Sequence, residues 1–175
     1  MSILNCHNLL LWRHADAEPL TEFEGLGFKN QDSARLLSKK GLKQAEKMAA
    51  WLCNNMPKNT LIISSNAIRA EQTAQALKHD YIVFASLSPA ATLQEVVDTL
   101  NHLPKQRLYY ESLLVIGHQP WLGLLAAQLL CLPLSLPKNS KEISIKKGTM
   151  WWFKRKILTK NQPFKLLTII APSLL

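Results

Sequence analysis

Two arginines and two histidines stand directly after short apolar runs, and their side chains suit one kind of chemistry. Arg13-His14 follow residues 9–12 (LLLW), Ser64-Ser65-Asn66 and then Arg69 follow residues 61–63 (LII), and His118 follows residues 113–116 (LLVI). A guanidinium offers a planar fork of donors that matches phosphate oxygens and stays charged at any working pH. A neutral imidazole nitrogen can attack phosphorus and form a phosphohistidine that water later cleaves. Free amides at a helix start near Arg69 would add anion-binding capacity. The chain has no GxxxxGK[ST] loop, no HExxH and no clustered aspartates, so the expected chemistry is phosphoryl transfer with no metal and no cofactor. Asp16, Glu18 and Glu95 are the candidate proton donors. His7, His79 and His102 lack partners at metal-ligand spacing and read as surface or satisfied residues.

For these residues to meet, the apolar runs must be strands of one sheet. Residues 9–12, 61–63 and 113–116 are continuous apolar stretches of the kind expected in central strands covered on both faces. Ile82–Phe84 offers a third strand between the second and the last of them. Helical periodicity follows each: Leu42, Ala45, Ala49 and Leu52 after Ser38, a helix over about 67–78 capped by Ser65 or Asn66, one near 93–103, and an apolar helix over about 121–130. Alternating strands and helices predict an α/β fold, a three-layer α/β/α sandwich on a mostly parallel sheet. Ile143-Ser144-Ile145, residues 149–153 and residues 166–170 read as strands without helices between them, hence an antiparallel edge. Residues 17–37, punctuated by Pro19, Gly25 and Gly27, form a long connection of the kind that often carries function. In open α/β sheets ligands bind beyond the carboxyl ends of the strands, which is where Arg13, His14, Arg69 and His118 would converge.

The 175 residues suffice for one domain, expected to span 1–175, and 47% hydrophobic with 19% charged residues excludes a disordered or fibrous chain. Cys6, Cys53 and Cys131 are far apart with no CxxC, which reads as free thiols in a reducing cytoplasm. No secretory signal is seen, and the most apolar stretch, 121–134, is shorter than the roughly 20 residues that cross a bilayer, so no membrane partner is expected. The net charge of +9 is concentrated at 138–165, where nine Lys and Arg face Glu142 alone. Such a segment can steer an anionic partner or simply solvate a face. Trp151-Trp152-Phe153 before Lys154-Arg155-Lys156 reads as a half-buried strand entering a solvated turn, and a nucleic-acid partner is not expected.

Together these segments resemble a known family. LLLWRHADAE is similar to the RHG/RHA signature of the histidine phosphatase superfamily, with its phosphoglycerate mutase-like fold. LSKKGLKQAEKMAAWL resembles its following helix, SSNAIRAEQTAQAL its SSxxxRAxQTA element, and VIGHQPWLGLLAAQLL the GHNPxL element of SixA-type phosphohistidine phosphatases. The matches run in family order from residue 9 to about 130, with Ala15 for the commoner glycine and Gln119 for the commoner asparagine. The resemblance implies that His14 is the nucleophile, that Arg13 and Arg69 hold the phosphate, and that His118 completes the pocket. It implies a phosphorylated protein substrate, such as a phosphohistidine-bearing phosphotransfer domain. A phosphatase of a small metabolite or nucleotide, and a non-catalytic phosphate-binding module, remain the alternatives.

Overall fold

The computed structural model describes residues 6–20, 32–103, 110–131, 143–156 and 163–175. Six strands form one sheet in the order β3-β2-β4-β1-β5-β6. They are β1 (Asn8–Arg13), β2 (Thr60–Ser65), β3 (Ile82–Phe84), β4 (Ser112–Gly117), β5 (Met150–Lys154) and β6 (Lys165–Ile170). The first four run parallel, β5 pairs antiparallel with β1, and β6 antiparallel with β5. The expected parallel sheet and its antiparallel edge are therefore both present.

Successive strand residues point to opposite faces, and both faces are covered, which is why the central strands are apolar without alternation. Leu9, Leu11, Ile63, Leu113 and Val115 pack with Val96 and Leu100 of α3 (Leu93–Asn101) and with Trp121, Leu122 and Leu125 of α4 (Trp121–Leu129). Leu10, Trp12, Ile62, Leu114 and Ile116 pack on the other side with Met48, Ala49 and Leu52 of α1 (Lys39–Asn55) and Ala70 and Ala74 of α2 (Ile68–Gln75). The result is the three-layer α/β/α sandwich. Among the described residues no helix is long and apolar enough to cross a membrane.

Three local expectations are corrected. Leu42 is 46% exposed; the buried position beside it is Gly41, where a Cβ would lie 1.8 Å from the Asp16 carbonyl oxygen. The glycine lets α1 press against the segment after β1. Neither Ser65 nor Asn66 caps α2, which starts from Ala67 without a side-chain cap. Ile143-Ser144-Ile145 is not a strand. Its carbonyls instead accept hydrogen bonds from side chains, Ile145 from Arg13 Nη1 (2.7 Å) and Ile143 from Gln119 Nε2 (2.9 Å). Residues 21–31 of the long connection, with Gly25 and Gly27, lie outside the described residues, as do Lys138, Lys141, Glu142 and Lys160.

The described residues of the basic segment fall into two groups. Lys146 and Lys147 precede the start of β5, and Met150 pairs with Trp12 at the His14 end of the sheet. Lys154 pairs with Asn8 and Lys165 with Lys154, at the opposite end. Five residues of strand separate the two groups, roughly 17 Å.

Candidate active site

Strand register brings the two histidines together. Arg13 and Gly117 are register partners in the parallel β1–β4 pair, so the next residue on each strand, His14 and His118, emerges side by side. Their ring centroids are 4.9 Å apart at 47°. His14 N donates to Gly117 O at 3.0 Å, continuing the pairing beyond the strand. Gly117 tolerates no side chain, because a Cβ would sit 2.1 Å from the Trp121 ring. β2 lies on the other side of β4, so Ser65 reaches His118, and the helix that follows delivers Arg69 in its first turn. Thr73 ties this helix to the β1 end: its Oγ1 accepts from Ala15 N at 3.1 Å and donates to Arg69 O at 2.7 Å.

The protonation of both rings follows from their partners. His14 Nδ1 lies 2.7 Å from Ala15 O, and a carbonyl can only accept, so Nδ1 carries the proton and Nε2 keeps its lone pair. Arg69 Nε donates to that Nε2 at 3.4 Å. Burial, countered by the Ala15 bond and reinforced by the charges of Arg69, Arg13 and Lys147, lowers the His14 pKa from 6.5 to about 3. Burial, with His14, Arg69, Arg13 and Arg35, lowers that of His118 to about 2. Both rings are therefore neutral over the physiological range.

Ser65 then sets the tautomer of His118. Its Oγ accepts from Ala67 N at 3.2 Å and lies 2.8 Å from His118 Nε2. Ser65 is fully buried, and His118 Nε2 is the acceptor within reach of its hydroxyl proton among the described residues. Ser65 thus donates to Nε2, and the ring proton of His118 sits on Nδ1, which is buried without a partner. Arg13 Nε is likewise buried and unpaired. Two unsatisfied N–H donors close to a neutral imidazole acceptor suit an oxyanion, because buried donors left without partners are costly and rare.

Two residues of the site were not singled out from sequence. Asp32 grips the far end of the Arg69 guanidinium: its carbonyl accepts from Nη1, and its carboxylate meets Nη2 at 2.8 Å. Arg35 holds the same carboxylate at 3.1 Å. This leaves the Nε edge of Arg69 toward His14. Lys147, on the turn before β5, meets Asp16 at 2.7 Å and adds to the positive field at His14. Gly148 follows it with φ +74, a left-handed turn that suits glycine, and its N–H donates to Arg13 O and His14 O.

The three candidate donors fare differently. Asp16 is at the site; burial pushes its pKa up, but hydrogen bonds from Lys147 and Ser38 and the charges of Lys147 and Lys40 outweigh this and hold it below the ordinary value. Glu18 is exposed and contributes its backbone, accepting from Arg35 through its carbonyl. Glu95 is occupied by the N-cap of α3, where its carboxylate takes the Thr92 N–H (2.7 Å) and hydroxyl (2.8 Å). Among the described residues no group of three or more His, Cys, Asp or Glu is placed to hold a metal ion.

Solved structures share this architecture. The candidate phosphohistidine phosphatase SixA from Agrobacterium tumefaciens is 20% identical, with a TM-score of 0.70 over 95% of this chain and 99% of its own. The protein histidine phosphatase SixA complexed with tungstate is 21% identical, with a TM-score of 0.69 over 95% and 98%. A candidate α-ribazole-5′-P phosphatase from Escherichia coli is 18% identical, with a TM-score of 0.65 over 93% and 96%. At these identities the likeness is one of fold. No curated protein sequence matches the chain. The profile of the histidine phosphatase superfamily (branch 1) matches residues 9–96, a span that takes in β1 with Arg13 and His14 and the helix bearing Arg69, and on that match the chain belongs to the histidine phosphatase superfamily.

Proposed function

We propose that the protein is a phosphohistidine phosphatase of the SixA kind, working through a phosphorylated His14. The observation that carries this reading is the state of His14: its Nδ1 proton is tied to Ala15 O, so the unprotonated Nε2 keeps its lone pair, held toward the Arg69 guanidinium by a long 3.4 Å hydrogen bond. In the first step the substrate's phosphoimidazole takes a proton from solvent on its other ring nitrogen, Nε2 attacks phosphorus, and the bond from phosphorus to the substrate nitrogen breaks, its electron pair leaving with a neutral imidazole. In the second, water attacks the phosphoryl group on Nε2, releases inorganic phosphate and restores the neutral ring. Arg13, Arg69 and the Nδ1–H of His118 neutralise the charge on the equatorial oxygens in both steps.

The state of Asp16 favours phosphohistidine over an alkyl phosphate. An imidazole can leave after protonation near neutral pH, whereas an alkoxide needs a positioned acid. The carboxyl at the site is held below its ordinary pKa and so is deprotonated at neutral pH. The test compares phosphate release from a phosphohistidine protein, an aryl phosphate, and common sugar and nucleotide phosphates. The phosphohistidine protein should give the highest kcat/KM. A sugar or nucleotide phosphate preferred over it would replace this reading with the metabolite phosphatase, and no turnover of any of them would favour a binding module.

A further inference from the structure

We propose that a lysine-lined groove along α1 is the docking face for an acidic stretch of a protein substrate; this rests on the phosphoprotein reading above. The groove, of about 480 Å³, is formed by Lys39, Lys40, Lys43 and Lys47 against Pro172 and Ser173. Among the described residues no carboxylate lines it.

The lysines work against their own helix. Lys39 and Lys40 are the first two residues of α1, whose first turn carries no acidic residue. The amides at a helix start carry partial positive charge, which disfavours cations there. Lys39, Lys43 and Lys47 are also spaced four apart, so like charges sit over one another on one face. Asp16, bound to the N-cap Ser38, offsets Lys40 at the helix start, but no carboxylate lines the groove beside Lys39, Lys43 and Lys47, and two local rules broken there together mark a surface selected for something other than its own stability. A strip of carboxylates laid along it would relieve both repulsions.

The groove leads to the candidate active site. Gln44 is part of its lining, and Gln44 Oε1 accepts from Asp16 N at 3.0 Å, two residues after His14. A Cβ on Gly148 would meet Pro172 at 2.9 Å and Gln44 at 3.4 Å, so the turn carrying Lys147 rests on the groove wall. From Lys39 to Lys47 the helix rises about 12 Å, the length of about four residues of extended chain. The partner is thus a short run of Asp or Glu beside the phosphorylated residue. A single-stranded nucleic acid would want aromatic or arginine surfaces for its bases, and the groove lining has neither.

The fold supplies its own control, since Lys154, Lys156 and Lys165 line a second groove, with Lys154 and Lys165 paired at the other end of the sheet. Two triple variants are compared with the wild type: Lys39→Gln/Lys43→Gln/Lys47→Gln and Lys154→Gln/Lys156→Gln/Lys165→Gln. Lys40 is kept because its charge acts on Asp16. Binding of a fluorescent polyglutamate peptide is read by anisotropy, and kcat/KM is measured on a phosphohistidine protein and on an aryl phosphate. The α1 variant should weaken polyglutamate binding and lower kcat/KM on the protein by about tenfold, the scale of three exposed charge pairs. Its turnover of the aryl phosphate should match the wild type, and its Tm should equal or exceed it. The control variant should bind polyglutamate within about twofold of the wild type. Equal losses in both variants, or no loss in the α1 variant, would overturn the proposal. So would tighter binding of an oligothymidylate of equal charge, which would assign the groove to nucleic acid. If the α1 variant loses polyglutamate binding while the wild type leaves phosphohistidine proteins untouched, the docking face stands and the substrate reading falls.

Discussion

A hydroxyl and a carbonyl govern how the two rings of the site present themselves. Ala15 O keeps the proton on His14 Nδ1, and Ser65 Oγ directs that of His118 to Nδ1. Ser65→Ala should therefore free His118 Nε2 and mix its tautomers, which ¹⁵N spectra of the imidazole would show directly. Its kcat should fall by about 10–100-fold, the usual cost of losing a group that orients a functional histidine, while Ser65→Thr should recover most of it. A kcat for Ser65→Ala equal to the wild type would mean that the tautomer is set elsewhere. At His14 itself, rapid quenching during turnover should trap an acid-labile phosphoryl group, and His14→Asn should abolish the label without unfolding the protein. Arg69→Lys keeps the charge but loses the planar geometry, so turnover should drop by about 10²–10³. Near-normal turnover would remove Arg69 from the phosphate clamp.

At the scale of elements, the connection after β1 and the start of α2 act on one another through Asp32 and Arg69. Asp32→Asn keeps the shape and removes the charge that holds two arginines. It should loosen the guanidinium, weaken competitive inhibition by vanadate severalfold and lower kcat, without moving Tm by more than a degree or two. Stronger vanadate inhibition would instead show Asp32 competing for the phosphate site. This contact was not legible in the sequence, because nothing in the local pattern around Asp32 says that an irregular connection folds back onto a helix 37 residues later. Lys147 was hidden in the same way, as one basic residue among many in its segment. The central strands were legible because burial on both faces leaves an uninterrupted apolar run. Arg13, His14, Arg69 and His118 were legible as a group because each follows such a run. The alternation of Ile143-Ser144-Ile145 looks like a strand, yet that segment is pinned by Arg13 and Gln119 through its carbonyls, and side-chain periodicity does not report carbonyl partners.

For the whole molecule, two buried neutral histidines tie stability to pH. Unfolded, each would take up a proton near pH 6.5; folded, His14 resists until about 3 and His118 until about 2. The unfolded chain binds more protons throughout that window, so stability is lost as pH falls below about 6.5, by up to about 1.4 kcal/mol per pH unit for each ring. Denaturant midpoints measured from pH 7 to 4 should decline less steeply for His118→Asn than for the wild type; parallel slopes would mean that His118 is charged in the folded protein. The pairing of Arg13 with Gly117 has a further, kinetic consequence. β1 and β4 are neighbours in the sheet but separated by about a hundred residues of chain, and contacts between such distant segments are slow to form. A partly folded chain holding only its local helices would have no juxtaposed histidines, and a one-residue slip of β1 against β4 would part them. Recovery of turnover after dilution from denaturant should thus follow closure of the sheet's centre rather than the early return of helical signal, making catalysis itself the clock for the last stage of folding.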